Sequence, residues 1–206
     1  MALSDLNSNL LLLLRWIHIL AGITWIGLLY FFNFVNVPFQ GLLEKELKPK
    51  VNPLLLPRAL WWFRWGAMIT FLAGLALFFV KYGMGGDGGL LTDADGITGR
   101  AKWIMFGMLL GTIMWFNVWF VIWPAQKQII TWVKAGQAPP EMAALAKRAL
   151  LFSRTNTYLS GPMLFCMIAP NNYGAFSPCS LAVICVIGAG TMWGLIKMSA
   201  KVGQNV

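Results

Sequence analysis

Arg15, His18, Gly22, Trp25 and Leu29 follow one another at spacings of three and four, so on a helix they share one face. His18 is the only histidine of the chain and stands in the apolar run RWIHILAGITWIG. An imidazole and a guanidinium in such a run are costly unless they have partners or a chemical role. Ligation of haem iron is one such role, in which the imidazole supplies an axial nitrogen. Gly22, one turn on, leaves flat space for the macrocycle, and Arg15, one turn back, offers a cation to its propionates. Arg15, His18 and Gly22 are therefore the candidate cofactor-binding residues, His18 the candidate ligand of the metal, and haem b the candidate cofactor. One histidine leaves the opposite face of the iron to a methionine, of which there are 11, to an open position, or to a residue of another subunit. The alternative is structural, with His18 donating a hydrogen bond to a neighbouring helix and Arg15 snorkelling to the interface.

Other patterns carry less chemistry, and no catalytic residue is assigned. The three cysteines form neither CxxC nor CxxCH, which excludes an attached c-type haem in this sequence and the usual zinc spacings. Cys185 reads as core, and a disulfide between Cys166 and Cys179 stays geometrically open. GMGGDGG lacks the Lys-Ser/Thr of a phosphate loop, and DADG lacks the glutamate of a calcium loop, so both read as flexible connector.

The elements that must position His18 are membrane helices. The chain has 206 residues, 58% of them hydrophobic and only 11% charged. Its mean hydropathy is +0.67. Apolar runs of about 20 residues, enough to cross a bilayer, recur along it. The expected fold is an all-α integral membrane protein, a single domain over 1–206 with about five spans near 10–34, 60–80, 103–123, 158–169 and 180–198. The net charge of +9 points to topology and not to nucleic acid, because the basic residues fall in connections between apolar runs. Lys45, Lys48, Lys50 and Arg58 lie in the first connection, Lys127, Lys134, Lys147, Arg148 and Arg154 in the third, and Lys197 and Lys201 at the carboxyl end. Asp87, Asp93 and Asp95 occupy the second. This alternation predicts an outside amino terminus and a cytoplasmic carboxyl terminus, with a bacterial inner membrane as the expected location.

FQGLLEKELKPK and QKQIITWVKAG mix apolar and basic residues at helical spacing and are expected as short helices lying in the cytoplasmic interface. Glu141 and Pro140 open a new helix that runs into the fourth span, where Pro162 predicts a kink between Ser160 and Leu164. Asn117 needs a partner at membrane depth, with Asn33, Thr70 and Asn156 as candidates. Trp115, Trp119 and Trp123, four apart, read as a packing or interface seam.

Four ordered segments, HILAGITWIGLLYFFNFVNVPFQ, LWWFRWGAMITFLAGLALF, KWIMFGMLLGTIMWFNVWFVIWPAQK and RTNTYLSGPMLFCMIAP, together resemble the membrane domain of the urate oxidase N-terminal (urate hydroxylase) family over most of residues 15–170. The resemblance implies a bundle of membrane helices that in longer members precedes a cytochrome c domain and is linked to urate oxidation, with electrons passing to the respiratory chain. His18 in its AGxxWxG setting, residues 115–119 and Arg154-Thr155-Asn156 stand at motif positions. Three functions follow as expectations: a membrane subunit of a respiratory or oxidase-type complex that binds haem and transfers electrons, an accessory subunit without cofactor packed against other membrane subunits, and a urate-oxidising membrane enzyme. The expected partners are the lipid bilayer and other membrane subunits.

Overall fold

In the computed structural model, which describes residues 5–82, 91–94 and 96–203, the chain is a bundle of long helices. α1 covers Leu6–Leu42, α2 Lys48–Tyr82, α3 Gly99–Lys134, α4 Glu141–Asn172 and α5 Pro178–Ser199. Short connections at 43–47, 135–140 and 173–177 force consecutive helices to run antiparallel. The chain is an all-α, multi-pass membrane protein: α1, α2, α3 and α5 are each long and apolar enough to cross a bilayer. The GMGGDGG segment lies outside the described residues. Beside it, Thr92–Asp93 and Gly96–Ile97 pair as a short antiparallel ribbon.

α4 fails that apolar criterion because of where it sits. It packs against α3 and α5 along its length and buries Asn156, Thr157 and Ser160. A central helix spends its polar groups on neighbours instead of on lipid. Where it meets α5, a Cβ on Gly161 would come within 2.5 Å of the Gly188 carbonyl oxygen, so two backbones touch there.

α1 and α3 share an unusual plan. Each contains a π-helical turn, at Phe31–Asn36 and Asn117–Ile122, and each resumes as α-helix with proline in its first turn, Pro38 and Pro124. A Phe-Asn pair, Phe32-Asn33 and Phe116-Asn117, marks both turns. The wider i→i+5 turn absorbs the proline, whose missing N–H would otherwise interrupt the ladder. This departs from the sequence expectation: both basic connections are helical in part, but they continue α1 and α3 instead of forming separate interfacial pieces. α4 is one helix with Pro162 inside it, where the sequence predicts a kink.

The helices that begin at the end opposite the basic connections are capped by side chains. Asp5 accepts from the Ser8 amide, Thr98 from Ala101 and Ser177 from Ser180. The main core gathers Trp25, Leu29, Phe63, Met114 and Val118, and a smaller one forms around Trp103, Cys166 and Ala169. Trp103 ties α3 to the 173–177 connection by donating its indole N–H to the Ala175 carbonyl at 2.9 Å.

Candidate functional site

His18 is half-buried at the α1–α2 contact, with its Nδ1 2.8 Å from the backbone oxygen of Thr70. A carbonyl only accepts, so Nδ1 carries a proton, and in the neutral ring Nε2 then keeps its lone pair. Thr70 is itself fixed, its hydroxyl donating to the Gly66 carbonyl at 2.7 Å. The ring lies close against Gly74, where a Cβ would fall 2.9 Å from Cε1.

His18 forms part of the wall of a cavity of about 530 Å³ between the α1–α2 pair and the α3–α4 pair. That volume is in the range of pockets for small molecules and cofactors. On the α1–α2 side it is bounded by His18, Gly22, Trp25, Thr70 and Gly74, and on the other by Met108, Gly111, Met163 and Met167. Ile19 and Ile23 of α1 and Ile168 of α4 line the cavity and are exposed on the bundle surface, so they form a rim and the cavity opens sideways. Its lining includes no charged side chain among the described residues. Trp25 is 3% exposed, and its indole N–H has no acceptor among the described residues.

Of the residues singled out from sequence, His18 and Gly22 meet at this cavity. Arg15 is exposed and is not part of the wall. Asn117 finds one of its expected partners, donating to the Asn156 side-chain oxygen at 2.8 Å, while Asn156 donates to the Met114 carbonyl at 2.9 Å. The tryptophan stripe is a packing seam against α2. Trp115 stacks on Phe71 at 4.3 Å, Trp119 donates to the Arg64 carbonyl at 3.1 Å, and Trp123 lies under the Arg64 guanidinium at 3.9 Å. Cys166, Cys179 and Cys185 are all free thiols, so the disulfide left open by sequence is not formed. Sequence reasoning offers methionine only as a residue type and Thr70 only as a partner for Asn117, and it misses Gly74 and Arg64. A glycine in α2 opposite a lone histidine is the available signal for Gly74.

This geometry defines a multi-pass helical membrane protein with an apolar, laterally open cavity edged by an oriented imidazole. The sequence model of the urate oxidase N-terminal family matches residues 91–199, more than half of the chain, and the chain belongs to that family. The match contains Asn117, Asn156 and the methionine wall, and His18 lies outside it. No curated protein and no solved structure matches the chain.

Proposed function

We propose that the chain is a membrane redox subunit that holds haem b through His18 in the lateral cavity. The observation that carries this reading is the imidazole itself, whose Nδ1–H is directed to the Thr70 carbonyl while its other nitrogen is left for a ligand. That arrangement is the one by which metal-binding histidines fix their tautomer and orientation. The surroundings suit a flat apolar group: Gly22 and Gly111 remove side chains from facing walls, and the unpartnered Trp25 N–H offers a donor to an acceptor at the ligand's inner edge. Bound haem would supply one-electron transfer. The chain's own part is to present the imidazole, exclude water and admit the group from the bilayer side.

Urate oxidation within this cavity is the weaker reading. A purine presents several hydrogen-bonding groups at its edges, and the mostly apolar wall supplies few convergent partners for them. The accessory role without cofactor makes the opposite spectroscopic prediction. The proposed topology has five spans, an outside amino terminus and a cytoplasmic carboxyl terminus, because the connections at 43–47 and 135–140, the helix ends beside them and the end of α5 gather most of the basic residues at one end of the bundle. Arg15, Lys81, Arg100 and Lys102 stand toward the other end and reduce this asymmetry without reversing it.

Absorption spectra of the purified protein, oxidised and dithionite-reduced, test the proposal. A Soret band with a reduced α band, lost in His18→Ala, is expected. A parent protein without visible absorbance, or a His18→Ala variant with full haem content, would overturn it.

A further inference from the structure

We infer that Met167 supplies the second axial ligand, a thioether, to the haem held by His18; this rests on the haem reading above. The chain offers no second histidine, and no group of His, Cys, Asp or Glu suited to a metal exists among the described residues. Cys166 is fully buried in the smaller core and does not line the cavity. Tyr30 lies at the cavity's inner end, twelve residues or roughly 18 Å along α1 from His18. Its hydroxyl is already paired with Ser160 at 3.0 Å.

The remaining donors are the sulfurs of Met108, Met163 and Met167 on the wall across from His18. Met163 is 5% exposed and belongs to the main core, so turning it toward a ligand would open a void there. Contacts between α1 and α4 help to choose between the other two. Asn33 donates to Ser153 at 2.9 Å across these antiparallel helices. His18 lies fifteen residues outward of Asn33, and fifteen residues outward of Ser153 is Ile168, beside Met167. Met167 therefore lies near His18's depth, whereas Met108, which the Asn117–Asn156 bond places opposite residue 165, lies deeper. Its methyl carbon lies 3.5 and 3.9 Å from the Cβ positions of Gly107 and Gly111, so the thioether lies over two α3 positions that carry no side chain. An unbranched thioether in such a notch changes rotamer easily. Imidazole and thioether together give a low-spin iron with a raised reduction potential.

The test compares the purified haem-loaded parent with Met167→Leu, Met108→Leu and Met163→Leu, reading the red-edge sulfur-to-ferric charge-transfer band, the ferric spin state by electron paramagnetic resonance, and the midpoint potential. Met167→Leu is expected to retain haem, lose the band, turn high-spin and fall in potential, while the other two variants keep the parent signature. Met167→His, should the leucine variant not accumulate, is expected to give a bis-imidazole spectrum at lower potential. A parent without the band, an unchanged Met167→Leu spectrum, or loss of the band in Met108→Leu or Met163→Leu instead would overturn the assignment and leave His18 ligation standing. A parent without haem would overturn both.

Discussion

Gly74 shows how little separates an oriented imidazole from a displaced one. A methyl group there would sit 3.1 Å from His18 Nδ1 and 2.9 Å from Cε1, inside ordinary contact distance. Gly74→Ala should therefore push the ring off the Thr70 carbonyl and weaken haem retention by about 10- to 100-fold, the scale for loss of a partner that orients a metal ligand. Gly194→Ala, whose Cβ meets nothing within 4 Å, is the control. Equal retention in both variants, measured by titrating haem into apoprotein, would refute this role for Gly74. His18 is legible from type and setting, since a lone imidazole in an apolar helix draws attention. Arg64 is not, because its stabilisation comes from Trp123 and not from a carboxylate. Replacing its planar cation by the compact ammonium of Arg64→Lys should cost about 0.5–2 kcal/mol in detergent unfolding. No cost would show that the stacking contributes nothing.

Helices α3 and α4 are joined at membrane depth by the Asn117–Asn156 pair, and the joint has a measurable coupling. A double-mutant cycle of Asn117→Leu and Asn156→Leu should return about 0.6–1.7 kcal/mol, the range found for such bonds in membranes. Additive losses would mean that each amide acts alone. This partnership is readable in advance, because an amide in an apolar run must find another polar group and few are on offer. The continuity of α1 and α3 is harder to read. Basic residues and prolines at 38 and 124 look like the end of a span, and nothing in local composition shows that a π turn before each proline lets the helix continue. The repeated Phe-Asn followed by proline is the available clue. Asp5, at the start of α1, is held below the usual carboxylate range by hydrogen bonds from the Ser8 side chain and backbone. A depressed value means that the cap is formed at neutral pH and lost as pH falls through that lowered value. Exchange of the Ser8 amide, corrected for its intrinsic pH dependence, should lose protection only in acid.

The five-helix bundle is legible as a whole because four helices announce themselves by hydropathy, whereas α4 shows only its outer half in that way and hides its polar, central course. The topology can be tested with a native probe. Cys179 is exposed near the start of α5 and should react with a membrane-impermeant thiol reagent from outside, whereas a cysteine at Gly136 on a Cys179→Ser background should not. The reverse pattern would invert the proposed orientation. In mild detergent the 22.9 kDa chain should travel with further membrane subunits, and a native mass equal to one chain would count against a complex. The rim of Ile19, Ile23 and Ile168 also bears on how the protein is handled. A cavity whose doorway faces acyl chains draws on the lipid phase as its reservoir, so a hydrophobic occupant equilibrates with everything dissolved there. Extraction replaces that reservoir with micelles, and every extra micelle dilutes it. Occupancy should then depend on the detergent-to-protein ratio during purification, falling as detergent is added in excess and recovering when the protein is returned to a small volume of bilayer.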